Sequence, residues 1–367
     1  MISKEEIWDI LKGYDLQRIS LATICSHSAL QIFHGAKLEG FRTIGICPRD
    51  RIDAYRAFPL AAPDEFMAVD KFSDLLDPRQ QQELRDRNAV IVPHGSFVEH
   101  VGADKILNEL MVPMYGNRMS LTWETDRRRQ REWLELSGLA VPREFSKPSE
   151  IAGKVFVKFQ GARGGRGFLV ARSPQEFRRG MREMLKRRKI RAEDLKDFTI
   201  QEFIAGVRYY FHFFLSVAEE VGLKVGGGRL ELLGMDKRVE PIDESYRGLP
   251  DVPVEFFDYT VTGNQPVVLR ESLLPEVMDM GRRVAQVSRK LFDPGLIGPF
   301  CLETIYHPDR GFVVFEVSAR IVAGTNLYPV GSPYSCYLFE QPTSTGRRIA
   351  LEVKRALSAG RIREVIY

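Results

Sequence analysis

The sequence predicts a mixed fold, α/β at the start and α+β in its C-terminal part, and three observations predict it. In the first third, short β-rich runs alternate with amphipathic helical segments. At 153–171 two apolar strand-like runs flank a bare glycine hairpin, and the remainder is strand-rich around one long amphipathic helix. A chain of 367 residues, 44% hydrophobic and 28% charged, has room for more than one core. Three lobes are expected, at 1–122, 123–206 and 207–367.

The elements follow in order. "RISLATI" (18–24) reads as a strand, "SALQIFHGAKLEG" (28–40) as a helix ending at Gly40, and "FRTIGIC" (41–47) as a strand. "NAVIVPHGS" (88–96) reads as a further strand running into a turn. Strands joined by helical crossovers imply a parallel, Rossmann-like sheet, which binds ligands at the carboxyl ends of its strands. A helix is predicted over 123–138, then strands over 153–159 and 167–171, a basic helix over 173–189 and a strand over 198–204. The C-terminal part reads as strands over 207–217, 228–240, 298–307 and 311–320, with a helix over 273–292.

The formal net charge of +4 comes from interspersed charges rather than a basic tail, so nucleic acid is not an expected partner. The arginine-rich run at 173–189 is read as the solvated face of an amphipathic helix. Cys25, Cys47, Cys301 and Cys336 show no CxxC spacing and are expected to be reduced core thiols. The N-terminal "MISKEEIWDILKGYD" is charged throughout and no apolar run approaches the roughly 18 residues of a membrane span. A cytoplasmic protein without membrane contact is expected. The tyrosine-rich "LYPVGSPYSCYLF" (327–339) reads equally as core or as the interface of a homo-oligomer, the expected assembly.

The hairpin "FVKFQGARGGRGFLVA" (156–171) holds Gly161, Gly164, Gly165 and Gly167 with Arg163 and Arg166. It lacks the GK[ST] ending of a P-loop and the GxGxxG dinucleotide fingerprint. Glycines let backbone N–H groups approach phosphate oxygens and the arginines supply charge, so a flap closing over nucleotide phosphates is predicted, with Lys158 reaching the α or β phosphate. The strand 198–204 then offers Gln201, Glu202, Phe203 and Ile204 as an adenine-binding hinge.

"FCLETIYHPDRGFVVFEVSAR" gives the sharper signal. With Pro308 to Gly311 as the loop, His307 pairs with Phe312 and Glu303 falls opposite Glu316. Two carboxylates about 5 Å apart on one sheet face destabilise the sheet unless a cation lies between them. A hard divalent ion shared with substrate phosphates removes the conflict. Period-two alternation adds Ser318 and Arg320 to the Glu316 face.

Lys158, the "GARGGRG" flap, the "IQEFI" hinge and the "CLET…FEVSAR" hairpin, in that order, resemble the ATP-grasp enzymes, which activate a carboxylate as an acyl phosphate. "SHSALQI", "GAKLEGF", "VPHGSF", "YGNR", "GMDKR", "TGNQPVVLRESLLP", "GPFCLE" and "SARIVAGTN" further resemble, across essentially the whole chain, the archaeal PurP family of purine-synthesis ligases. That family makes 5-formamidoimidazole-4-carboxamide ribonucleotide (FAICAR) from its 5-amino precursor AICAR, formate and ATP.

The resemblance implies an ATP-grasp fold behind the Rossmann-like domain and assigns roles. His27, Ser96 and Asn264 would contact AICAR; Glu240 would bind ATP; Glu303 and Glu316 would hold Mg²⁺ or Mn²⁺. Many ATP-grasp proteins carry an acidic residue shortly after the hinge, where this chain has Arg208, and Glu240 is the expected substitute. For the chemistry itself, Lys158, the flap arginines and either Arg320 or Arg270 would neutralise phosphate charge, and His27 would orient the amine or take its proton. The loop at His27 precedes a helix N-terminus, which offers free N–H groups to a 5'-phosphate, although Ser26 or Ser28 as a plain cap explains the serines there as well. A ligase for another carboxylate or amino-nucleotide, and a catalytically silent nucleotide-binding regulator, are the rival expectations.

Overall fold

The computed structural model describes residues 1–159, 168–196, 198–218, 221–240 and 261–367. The predicted flap residues Gly161, Arg163, Gly164, Gly165, Arg166 and Gly167 lie outside the described residues.

The N-terminal sheet contains β1 (Ser20–Ile24), β2 (Arg42–Pro48), β3 (Glu65–Val69) and β4 (Ala89–Ile91), all parallel, in the order β3-β2-β1-β4. β1 and β2 are almost wholly buried, as a sheet covered on both faces requires. Because β1 and β4 are neighbours, the segments at their carboxyl ends lie side by side, carrying His27 in a loop and Ser96 in the first turn of the helix Gly95–His100. The Thr23 hydroxyl, donating to the Val92 carbonyl at 2.8 Å, extends the contact beyond the last paired residues.

A second sheet, antiparallel, orders β5 (Glu144–Phe145), β6 (Val155–Phe159), β7 (Phe168–Ala171) and β8 (Phe198–Glu202) as β5-β8-β6-β7. The basic helix Pro174–Lys186 packs Phe177, Met181 and Met184 onto it and leaves its arginines to solvent, as its periodicity predicts. The Ser173 side chain caps this helix by accepting from the Glu176 N–H.

The third sheet comprises β9 (Val207–Ser216), β10 (Leu223–Val225), β11 (Gly228–Val239), β12 (Gly263–Pro266), β13 (Gly298–His307) and β14 (Gly311–Ser318). Its order is β10-β11-β9-β13-β14, with β12 alongside β11. The helix Leu274–Leu291 lies against its apolar face through Val277, Met280 and Val284.

Two expectations need correction. The helix predicted over 123–138 is two helices, Arg118–Thr125 and Arg127–Leu136. Asp126 between them is extended and accepts the Arg128 and Arg129 N–H groups, and this cap breaks the run. Cys336 is exposed, unlike the buried Cys25, Cys47 and Cys301. The tyrosine-rich stretch divides: Tyr328 is buried, with its hydroxyl on the Met235 carbonyl, whereas Tyr337 is 86% exposed. No helix among the described residues is long and apolar enough to cross a membrane.

The N-terminal helix Ala29–Leu38 and the C-terminal helix Thr345–Ser358 cross at glycines. A Cβ on Gly35 would lie 2.1 Å from the Arg347 nitrogen, and one on Gly346 would lie 2.1 Å from the Gln31 carbonyl oxygen. This backbone approach is open only to glycine. It clamps the end of the chain onto the parallel sheet, next to the loop that carries His27.

Candidate active site

Most of the predicted residues line one cavity of about 600 Å³. His27 enters from the N-terminal sheet; Lys158 and residues Gln201 to Ile204 come from the second sheet; Glu240, Asn264, Glu303, Glu316 and Arg320 come from the third. Ser96 does not line it. That side chain is buried and bonded to the Ser26 hydroxyl at 3.0 Å, while its N–H donates to His94 Nδ1.

The carboxylate pair forms, by a route the sequence reading missed. Glu303 pairs with Glu316 across β13 and β14, but the loop is one residue tighter than predicted, with His307 opposite Gly311. A bulge at Phe315 restores the register, so two one-residue departures cancel. The bulged Phe315 ring joins the cavity wall with the Lys158 ammonium over it, 5.5 Å from its centroid.

Glu303 is buried, and both its oxygens accept from Arg238, at 2.7 and 2.9 Å. Burial pushes its carboxyl up to about 7; Arg238 opposes the rise and neighbouring Glu316 adds to it. Arg238 also covers the Tyr210 ring, 3.9 Å from its centroid. Burial brings the Lys158 ammonium down to about 8 against the opposing pull of Glu316. Arg208, shortly after the hinge, forms an ion pair with Glu240, the acid expected to serve in its place. At the hinge the Phe203 N–H is already given to the Lys154 carbonyl. The Glu202 carboxylate is held by the Arg143 N–H and the Arg310 guanidinium, both at 2.9 Å.

His27 sits in the left-handed region, φ +51°, which a non-glycine residue adopts only where its surroundings enforce it. Its ring stacks on His94 with centroids 5.3 Å apart and planes 5° from parallel. Nδ1 meets the Ser28 hydroxyl at 2.8 Å, and that hydroxyl reaches the Val322 carbonyl at 3.4 Å. A donor chain from Nδ1–H through Ser28 to Val322 leaves Nε2 with its lone pair. A Cβ on Gly95 would lie 2.9 Å from Nε2 and 3.4 Å from Arg320 Cζ, so glycine keeps that nitrogen uncovered and close to Arg320. His27 is open to solvent through the cavity, but the protein walls packed around its ring, then neighbouring His94, Arg320 and Arg238, hold the imidazole well below its ordinary value and therefore neutral. Ser28 makes no side-chain cap to the following helix, so the capping explanation fails for it.

Sequence reasoning missed four side chains here. Glu124, its side chain 7% exposed, takes Arg320 at 2.9 Å and the Ala319 N–H at 2.7 Å, fixing the arginine. Arg127 joins Lys158 in the cavity. Arg238 was legible, because Asp236 and Arg238 alternate on β11 and so share one face, with Glu240 in step just past its end. His94, in the quoted "VPHGSF", gave no local signal of its stacking role.

His94 gives a testable pH dependence. It is completely buried; Nε2 donates to the Ile24 carbonyl at 2.9 Å and Nδ1 accepts from Ser96. Burial depresses its value to about 3. The unfolded chain, near 6.5, therefore takes up the proton first. The contribution to stability is complete above about pH 6.5 and is lost as pH falls toward about 3. Between pH 7 and 4.5 wild type should lose about 2–3 kcal/mol more than His94→Gln in urea denaturation. Parallel losses in the two proteins would refute this.

The two carboxylates suit a divalent cation. They face each other in a cavity open to phosphate oxygens, and no cluster of three or more acidic, histidine or cysteine ligands occurs among the described residues. Mg²⁺ is held in this way, by one or two carboxylates plus substrate phosphates.

Comparison with known proteins agrees with this architecture. The model of the family described as "Domain of unknown function (DUF1297)" matches residues 176–367, and that of "Protein of unknown function (DUF1246)" matches 21–145. A protein of Korarchaeum cryptofilum named 5-formaminoimidazole-4-carboxamide-1-(beta)-D-ribofuranosyl 5'-monophosphate synthetase is 51% identical over 100% of both chains. The crystal structure of the IMP biosynthesis protein PurP from Thermococcus kodakaraensis is 31% identical, with a TM-score of 0.72 over 95% of this chain and 100% of that one. An ADP complex of N5-carboxyaminoimidazole ribonucleotide synthetase, 12% identical, shares the fold alone, with a TM-score of 0.63 over 93% of this chain and 77% of that one. Full-length identity of this order, on an ATP-grasp scaffold that gathers the quoted motifs around one cavity, places the chain in the 5-formaminoimidazole-4-carboxamide ribonucleotide synthetase (PurP) family.

Proposed function

We propose that this chain is a ligase that formylates AICAR to FAICAR with formate and ATP, releasing ADP and phosphate. The observation that carries the reading is the convergence of a neutral His27, Lys158, Arg320 and the Glu303–Glu316 pair on one cavity. The 51% identity to a protein named for this synthesis supports it.

Formate is a poor electrophile. An oxygen of formate attacks the γ-phosphorus, the bond to the ADP oxygen breaks, and formyl phosphate forms. Phosphoryl transfer of this kind rests on positioning and charge neutralisation. Lys158 and Arg320, with Arg127 beside them, supply cationic charge around the phosphates. Glu303 and Glu316 would hold Mg²⁺ or Mn²⁺, which when bound offsets the negative charge of the phosphates. The 5-amino nitrogen of AICAR then attacks the formyl carbon, phosphate leaves, and the surplus amine proton passes to His27 Nε2. The AICAR phosphate is assigned to the N-terminus of the helix Ala29–Leu38, whose first-turn N–H groups lack a side-chain cap. ATP is assigned to the second sheet, with adenine at the Gln201–Ile204 hinge, Glu240 beside it and the 161–167 flap over the phosphates. On this reading the functional divisions are 1–122, 123–206 and 207–367.

The test is an incubation with Mg-ATP, ¹³C-formate and AICAR, leaving out one component at a time. Labelled FAICAR should appear in step with ADP only in the complete mixture. ATP binding without product would point instead to another carboxylate, another amino-nucleotide or a regulator. His27→Ala should reduce kcat about 10²-fold and leave ATP affinity unchanged, measured by the same assay and by calorimetry.

A further inference from the structure

Asp236 has no part in the chemistry described above, yet it is fully buried and both its oxygens are committed. Oδ1 is 2.7 Å from His212 Nε2 and Oδ2 is 2.7 Å from Asn264 Nδ2. It also has no room to turn, because an ideal Cβ on Gly324 would lie 2.1 Å from Oδ1. His212 is buried as well, on the adjacent β9. A carboxylate only accepts, so His212 must carry its proton on Nε2 and Asn264 must turn its NH₂ inward. The orientation of that amide follows from its partner. Asn264 lines the cavity, and among the described residues no donor is bonded to its Oδ1. The carbonyl end is therefore the end left for a ligand.

We infer that Asp236, braced by His212, is a positioning residue that fixes Asn264 as a hydrogen-bond acceptor, and that this acceptor reads the 4-carboxamide N–H₂ of the imidazole substrate. The inference rests on the reading of the cavity as an AICAR site. Of the two exocyclic nitrogens of AICAR, the carboxamide is the better match. A neutral amide oxygen is too weak a base to take a proton, and the carboxamide keeps its protons from substrate to product, whereas the 5-amino group gives one up. A ligand with a carboxylate at this position presents lone pairs to a lone pair and is rejected, because a site built to bond an N–H discriminates strongly against a partner without one.

The experiment compares binding of AICAR with that of the same ribonucleotide bearing a 4-carboxylate, by calorimetry on the full chain. Wild type should prefer AICAR by on the order of 10²-fold or more. In Asp236→Asn the His212 N–H holds the new amide oxygen, so the new NH₂ faces Asn264 and turns that side chain to present its own NH₂ to the cavity. The preference should then narrow at least tenfold, through weaker binding of AICAR and tighter binding of the carboxylate. General loosening of the site would lower both affinities together, which separates positioning from a merely structural role. An unchanged ratio in folded Asp236→Asn, with AICAR still bound by wild type, overturns the inference and leaves the proposed function standing. Failure of wild type to bind AICAR overturns both. If Asp236→Asn does not fold, Asn264→Ala decides: loss of the preference supports the assignment and its retention overturns it.

Discussion

Glu316→Gln should lower ATP- and formate-dependent FAICAR formation by about 10²- to 10³-fold while the protein remains folded and still binds AICAR. The choice of residue follows from the unequal environments of the two carboxylates. Glu303 is buried and both oxygens hold Arg238, so neutralising it would also strand a guanidinium inside the protein. Glu316 is only half-buried and forms no ion pair among the described residues, so glutamine removes its charge at little structural cost. The loss should appear in kcat and in the Mg²⁺ concentration needed for half-maximal rate. A second readout follows from Lys158, held at about 8 with Glu316 helping to keep it protonated. Without that charge its value falls further, so ATP affinity in the variant should decline more between pH 6.5 and 8 than in wild type. Full turnover in folded Glu316→Gln would remove the carboxylate pair from the mechanism.

The Glu303–Glu316 pairing also shows what the sequence could and could not convey. Alternation in "CLET" and "FEVSAR" placed both glutamates on one face, and the hairpin had few registers to choose from. The tight loop and the Phe315 bulge left no trace in residue type, and the prediction survived because they offset each other. Three strands of the parallel sheet were legible for a similar reason, since they and their crossovers are local patterns, but the edge strand Glu65–Val69, only partly buried, was not read. The break at Asp126 was misread because helical periodicity runs through it, whereas its capping bonds depend on backbone geometry. Side chains that act over long sequence separations were the least visible. Glu124 reaches Arg320 across 196 positions, and nothing near Glu124 marks it as the anchor of an active-site arginine. Ser96 lies close to His27 in space, but the Ser26 hydroxyl takes its side chain.

The largest stability effect is expected away from the cavity, at Arg348. Its side chain is wholly buried; Nε and Nη2 each reach a Glu231 oxygen at 2.8 Å, and Nη2 lies 2.9 Å from Glu352. The Phe214 ring stacks on its guanidinium, 4.3 Å from centroid to Cζ. Glu352 in turn accepts from the Ser216 hydroxyl and from the Val217 and Ala218 N–H groups, so it ties the end of β9 to the C-terminal helix. Burial lifts the Glu231 carboxyl above the usual range even with Arg348 beside it, which shows how much depends on the one cation between two acids. Arg348→Met leaves both acids without that cation and should cost about 3–5 kcal/mol, read as a lowered urea midpoint. Pairing it with Glu231→Leu should recover part of the loss, because an apolar pair of similar volume avoids the desolvation that the single variant leaves uncompensated. The same helix carries Gly346 at the crossing with Ala29–Leu38, so local opening in Arg348→Met should also free the His27 loop and weaken AICAR binding more than ATP binding. An unchanged midpoint, or equal weakening of both ligands, would mean that the crossing holds without the buried triad, on its glycine contact and the Arg347 and Lys354 ion pairs to Glu39.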